Sequence, residues 1–122
     1  MEKFLYNEIC LKKAISIQNE LRDKIVMNDI KGEISLIAGV DLAYWKNKNK
    51  EYAVCCIIIV ERKTKKIIDT KYSIGIIDIP YIPGCLAFRE LPLILETVDK
   101  LNVNPDLYMF DGNGYLHERN MG

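Results

Sequence analysis

Three carboxylates stand in settings that could do chemistry together. Asp41 lies in Gly39-Val40-Asp41-Leu42-Ala43-Tyr44. Glu90 closes Tyr81-Ile82-Pro83-Gly84-Cys85-Leu86-Ala87-Phe88-Arg89-Glu90. Asp111 opens Asp111-Gly112-Asn113-Gly114. Each acid is expected at the end of a strand or the start of a helix, so three separate elements deliver them. A Mg²⁺ ion takes near-octahedral oxygen ligands, commonly one or two carboxylates completed by waters and substrate phosphate. Asp41 and Asp111 suit that role, with Glu90 able to swing in as a third ligand. Gly39, Gly112 and Gly114 leave room for a backbone or phosphate to approach. Three close carboxylates repel, and a cation relieves that repulsion.

Each acid also has a plainer reading. Asp before Gly is a common turn former, which could account for Asp111. Glu90 could be an ordinary acid at a helix start. Asp41 interrupts an apolar strand, where a buried and unpaired carboxylate would be costly, so a partner or a metal is expected.

The elements that must position these acids follow from the pattern of apolar residues. Residues 6 to 28 read as a helix, with Leu11, Ala14, Ile15, Leu21 and Ile25 on one side. Residues 34 to 45 read as a strand, with Leu36, Ala38, Val40, Leu42 and Tyr44 on one face and Ile37, Gly39, Asp41 and Ala43 on the other. A polar turn over 46 to 50 leads to a nearly continuous β-branched and apolar run over 52 to 61, expected for a strand covered on both sides. A third strand spans 66 to 76, giving an antiparallel meander. Pro80, Pro83 and Gly84 shape a rigid loop. A helix follows through Leu91, Ile94, Leu95, Val98 and Leu101, with Pro92 expected in its first turn. Residues 107 to 110 form a short apolar strand running into Asp111. The order is α-β-β-β-α-β, an α/β fold with a mixed sheet in a single domain over 1 to 122. The sheet looks incomplete at the C-terminus, because the last strand would leave an apolar edge open.

The chain has 122 residues, 49% of them apolar and 28% charged, and its formal net charge is zero. That suffices for one core and excludes a general basic field for nucleic acid. Contact with nucleic acid would need a local patch. Lys46, Lys48, Lys50, Lys63, Lys65 and Lys66 decorate hairpin turns at opposite ends of the sheet and read as solvated tips. No signal peptide is apparent, and the longest apolar run, Ala53 to Val60, is far too short for a membrane span. Cys10, Cys55, Cys56 and Cys85 show no metal-ligand spacing and read as reduced thiols of a cytoplasmic protein.

These segments resemble endonuclease V, a deoxyinosine-specific repair nuclease family with a ribonuclease-H-like fold. The likeness rests on Ile37 to Tyr44, on Pro80-Tyr81-Ile82-Pro83-Gly84 with Leu86 to Glu90, and on Asp111-Gly112-Asn113-Gly114 with His117. The opening helix around Ala14 to Leu21 is similar too. The resemblance implies a Mg²⁺-dependent endonuclease, with Mn²⁺ as a substitute, that hydrolyses a phosphodiester on the 3′ side of hypoxanthine. Asp41, Glu90 and Asp111 would hold the metal. Tyr81 would be the aromatic wedge beside the lesion, in a substrate loop with Ile82, Pro83 and Gly84. Arg89, Gly112, Gly114 and His117 would lie near the cleaved phosphate. DNA containing deoxyinosine, or RNA containing inosine, would be the partner.

Three departures qualify the likeness. Family members run longer, and the remaining portion should hold a further strand, flanking helices and a catalytic lysine. Cys85 replaces a larger apolar residue, and Glu118 stands where proline or a basic residue is common. Two other readings stay open beside the nuclease: a noncatalytic binder of nucleic acid, and a module that self-associates through its open sheet edge.

Overall fold

A computed structural model describes residues 12–13, 15–77 and 86–111, with side chains left aside at 86–89. The chain divides into two compact units, Met1–Asp29 with Ile79–Arg89 and Gly112–Gly122, and Ile30–Asp78 with Glu90–Asp111. Within the first unit, helix α1 is seen at residues 12–13 and 15–22. It ends earlier than the apolar spacing suggested. The Lys24 N–H donates to Leu21 O (2.9 Å) and the Ile25 N–H to Arg22 O (3.3 Å), tightening the last turn into three-residue bonds.

The second unit holds the sheet. Strands β1 (Leu36–Asn47), β2 (Lys50–Glu61), β3 (Ile67–Ile76) and β4 (Leu107–Phe110) lie in the order β3-β2-β1-β4. Helix α2 (Leu86–Val98) connects β3 to β4. This is the expected mixed α/β layer: β1, β2 and β3 form an antiparallel meander, and β4 returns parallel to β1.

The first hairpin is tighter than the lysine-rich stretch implied. Asn47 pairs with Lys50, leaving only Lys48 and Asn49 in the turn, at φ 50° and 66°. Two successive left-handed residues make a turn whose twist matches that of the strands it joins. The β2–β3 turn closes with the Lys65 N–H on Glu61 O (2.8 Å) and the Glu61 N–H on Lys66 O (2.9 Å). Just beyond it the register slips by one, because Val60 pairs with Ile67 and Ile59 with Asp69. Ile68 is the extra residue of a β-bulge.

α2 covers one face of this sheet. Leu93 and Ile94 pack with Ala38, Val40, Ala53, Cys55, Ile57 and Ile59. Gly75 leaves space for the helix, since a Cβ there would lie 3.1 Å from Leu93 Cδ1. Thr97 is fully buried and its hydroxyl donates to Leu93 O at 2.8 Å, so its polar atom is satisfied inside the helix. α2 starts earlier than its proline suggested. Pro92 is the seventh residue of thirteen and not part of the first turn. The ring therefore removes an interior N–H, a cost that packing of Leu93 and Ile94 must offset. Among the described residues, no helix is long and apolar enough to cross a membrane.

Two aspartates tie the connections to the sheet. The Ser35 and Leu36 N–H groups donate to Asp106 Oδ2 at 2.9 and 3.0 Å, and the Asp106 N–H donates to Leu36 O at 2.8 Å. Asp69 Oδ2 accepts from the Asn102 N–H at 2.9 Å, and its other oxygen lies 3.2 Å from Lys71 Nζ. Donated backbone bonds hold both carboxyls below the ordinary carboxylate range, with Asn102 the largest cause at Asp69 and Leu36 at Asp106.

Two predictions follow from this packing. Ile57→Ala, at a fully buried site, should lower stability by about 2–5 kcal/mol in urea unfolding. The depressed carboxyls contribute stability that is complete above about pH 4 and is lost as pH falls toward their lower folded values. Asp106→Asn should therefore flatten the fall of the urea midpoint between about pH 4 and 3. An unchanged slope would remove Asp106 from the acid response.

Candidate metal and nucleic-acid site

β1 carries the first acid and the parallel pairing with β4 brings up the second. The paired positions run from Ile37 with Leu107 to Val40 with Phe110. Asp41 and Asp111 are the next residues on each chain. Parallel neighbours lie about 4.8 Å apart and present matched positions to the same side. Each carboxylate thus follows the last paired residue of its strand where β4 ends. Within β4, the rings of Tyr108 and Phe110 stack with centroids 5.8 Å apart.

Asp41 is not the buried acid the apolar strand implied. It is exposed, because it alternates away from the face that α2 covers, with Gly39 and not with the buried Val40. The cost of a buried unpaired charge therefore does not arise. β1 has its last β4 partner at Val40. Beyond that point the Leu42 N–H donates to Asp41 Oδ1 at 2.9 Å, which fixes one oxygen of the carboxylate close to the backbone.

Glu90 is also placed differently from its expected junction position. It is the fifth residue of α2, one turn inside the helix. Its Oε2 accepts a hydrogen bond from the Tyr44 hydroxyl at 2.6 Å. Tyr44 stands three residues after Asp41 on β1 and on the opposite alternation, so Glu90 meets the strand at its rim. Spacing alone gave Tyr44 no role beyond the strand face; only the packing of α2 over β1 reveals this partner.

Cys55 faces β1 from the neighbouring strand β2. It pairs with Leu42 and is fully buried, and burial is the main cause that pushes its thiol up. The negative charges of Glu90 and Asp41 add to that rise. Both carboxylates are thus close enough to act on one side chain. Cys55 and Cys56 are free thiols on opposite faces, as alternation requires.

Among the described residues, no three of His, Cys, Asp and Glu are gathered closely enough to ligate one ion. Asp41 and Asp111 each follow the last pair of the β1–β4 ladder, whereas Glu90 is bonded to Tyr44. Carboxylate oxygens are the donor type of a hard cation, and Mg²⁺ usually takes one or two of them from protein. Tyr81, Ile82, Pro83, Gly84, Gly112, Gly114 and His117 lie outside the described residues, as does the Arg89 side chain. Arg89 itself falls in the first turn of α2. Lys63 pairs with Glu33 at 3.2 Å and the hairpin lysines are exposed, in keeping with solvated tips.

A mixed sheet of order β3-β2-β1-β4, with acids following its parallel β1–β4 pair, has the architecture of a ribonuclease-H-like layer. Comparison with known proteins gives the family. The pattern of endonuclease V matches residues 19–122, and the chain belongs to the endonuclease V family. It is 57% identical over 114 residues to endonuclease V of Bacillus thuringiensis subsp. konkukian, covering 92% of this chain and 48% of that protein. Identity to the Bacillus subtilis relative is 43% over 127 residues, covering 100% of this chain and 53% of the relative. The chain thus spans about half the length of the curated relatives it matches.

Solved structures agree. A crystal structure of Bacillus subtilis endonuclease V superimposes with a TM-score of 0.82 at 46% identity, covering 88% of this chain and 46% of that one. Ciona intestinalis endonuclease V, in complex with a 24mer DNA containing an inosine followed by a ribo-adenosine, gives 0.83 at 28% identity. That match covers 92% of this chain and 50% of the other.

Proposed function

We infer that this chain serves a DNA repair endonuclease that uses Mg²⁺, or Mn²⁺ in its place, to hydrolyse a phosphodiester near deoxyinosine. The observation that carries the reading is the family match over residues 19–122, and it is supported by Asp41 and Asp111 each following the last pair of the β1–β4 ladder. A relative in complex with inosine-containing DNA supports the choice of partner. Inosine in RNA is a further substrate of the same chemistry.

In this reading Asp41 and Asp111 hold the cation and Glu90 contributes from α2. A bound divalent ion would supply an activated water and offset charge at the phosphorus. The chain's own residues orient the DNA. Tyr81 would wedge beside the lesion, with Ile82, Pro83 and Gly84 shaping the loop. Hypoxanthine pairs weakly, so turning it out of the stack costs less than extruding a normal base. Arg89 would face the phosphate, which its planar guanidinium suits. Gly112 and Gly114 would allow the backbone to approach, and His117 would stand near the cleaved bond. Free thiols at Cys55 and Cys56 fit a cytoplasmic setting.

The test is nicking of a duplex containing one deoxyinosine, with Mg²⁺, by this chain and by Asp41→Ala. The expected result is a nick on the 3′ side of the lesion that the variant loses by at least about 100-fold, as removal of a metal acid should. Millimolar Mg²⁺ should also raise the Tm of the parent chain and not of the variant. Binding of the deoxyinosine duplex without nicking would replace the enzyme by a noncatalytic binder.

One observation favours a second role beside this. β4 is an edge strand of the described sheet, and Met109 and Phe110 are 60% and 55% exposed there. Self-association through that edge should appear as a concentration-dependent dimer on sizing, weakened by Met109→Lys. A monomer at all concentrations would remove this role.

A further inference from the structure

The β1–β2 hairpin carries an aromatic platform that the nuclease chemistry leaves unused. Trp45 pairs with Tyr52 across the two strands, and their rings stack with centroids 5.8 Å apart and planes 14° apart. Both lie on the face that α2 leaves open, because Leu42 and Tyr44 alternate toward the helix. Trp45 is 41% exposed. Tyr72 shares the face and is exposed; it pairs with Cys56, which pairs in turn with Asp41. A stacked cross-strand pair braces a hairpin. The charges around this one point to a ligand as well.

Lys50 shares the open face, and Lys48 sits in the turn beyond it. Both are exposed, and among the described residues neither is ion-paired. By alternation, the open-face positions of β2 from Tyr52 to Ile58 and of β3 from Thr70 to Ile76 hold no carboxylate. Asp41 is the acid of this face on β1, four residues or about 13 Å along the strand from Trp45. Exposed rings with ammonium groups at their edge and no opposing acid suit single-stranded nucleic acid, whose bases stack on the rings while its phosphates meet the lysines. Bases inside a duplex do not suit the platform, since their faces are already covered by their neighbours. A stacked DNA strand advances about 3.4 Å per nucleotide, so the span from Asp41 to Trp45 corresponds to about four nucleotides.

We propose that the open face of the β1–β2 hairpin is a subsite for an unpaired stretch of nucleic acid, with a base stacked on Trp45 and Tyr52 and phosphates against Lys48 and Lys50. This deepens the reading given under Proposed function and rests on it for the direction of the strand, because the same face of β1 carries Asp41. The subsite supplies the local patch that a chain of zero net charge needs to hold nucleic acid.

Trp45 is the single tryptophan of the chain, so its fluorescence reports on the platform directly. The experiment titrates an oligodeoxythymidine of about 12 nucleotides, without deoxyinosine and with EDTA present, into the full chain. Saturable quenching of Trp45 is expected. Anisotropy of the labelled oligonucleotide then compares variants, each checked for folding by circular dichroism. Trp45→Leu should raise Kd about tenfold. Trp45→Phe, which keeps an aromatic ring, should restore most of the affinity. Replacing both Lys48 and Lys50 by Gln should reduce the slope of log K against log salt by about 1.4, since each phosphate contact to a single strand contributes about 0.7.

No quenching, or an equal Kd for Trp45→Leu and the parent, overturns the subsite. An unchanged salt slope in the double lysine variant also overturns it. A shift of Trp45 emission with protein concentration alone would give the face to a second copy of the chain and overturn it likewise. Nicking of the deoxyinosine duplex separates the two readings. Nicking without quenching removes the subsite and leaves the endonuclease; quenching without nicking supports the platform and removes the endonuclease.

Discussion

The candidate site depends on the register between β1 and β4, and that register is pinned by one carboxylate. Asp106 accepts the Ser35 and Leu36 N–H groups on a single oxygen and returns its own N–H to Leu36 O. These bonds sit where both strands begin, one residue ahead of the Ile37–Leu107 pair. They fix which residue of β4 faces which residue of β1. Asp41 and Asp111 then each come one residue after the last pair, Val40 with Phe110. A slip of one residue would turn one of the acids to the other side of the layer. A four-residue strand has few ladder bonds of its own, so a charged acceptor at its start has a large share in holding it.

The remaining connections have the same character. Asp69 takes the Asn102 N–H just beyond α2, and Lys100 Nζ reaches Tyr72 O at 3.0 Å. The end of the crossover helix is thereby tied to β3, the edge strand farthest from β4. With Leu93 and Ile94 filling the middle, the helix is held over its half of the sheet at its end and along its length. The opposite face is left apolar and open: Trp45 stacks on Tyr52 at 5.8 Å, and Tyr72, Ile74 and Ile76 are exposed. Asp41 belongs to that side by alternation, which is why it is exposed inside an otherwise apolar strand.

Much of this was legible in the sequence because the signals were local. Period-two alternation in β1 gave the correct faces, and the β-branched run over Val54 to Val60 gave the central strand β2. The meander followed from the short turns and the mixed sheet from the crossover helix, while the place of β4 beside β1 came only from the structure. Errors arose where a residue type was read by its usual setting. Pro92 suggested a helix start, yet packing of Leu93 and Ile94 holds it inside α2, and Glu90 moves one turn into the helix as a result. The lysines of the first hairpin suggested a long turn, but Lys48 and Asn49 accept left-handed backbone and the strands pair to Asn47 and Lys50. The Tyr44–Glu90 bond had no sequence signature, because nothing in either residue's neighbours specifies how a helix crosses a sheet.

The acids therefore differ in how they are held, and the difference has a physical consequence. Asp41 is short, and its carboxylate is engaged by the adjacent Leu42 N–H, so the strand backbone orders it before any ligand arrives. A ligand arranged in this way loses little conformational entropy on binding. Glu90 is longer, half-buried and projects from a helix; a side chain of that kind surrenders up to about 2 kcal/mol of rotamer freedom when fixed. The Tyr44 hydroxyl spends part of that cost during folding, when β1 and α2 come together.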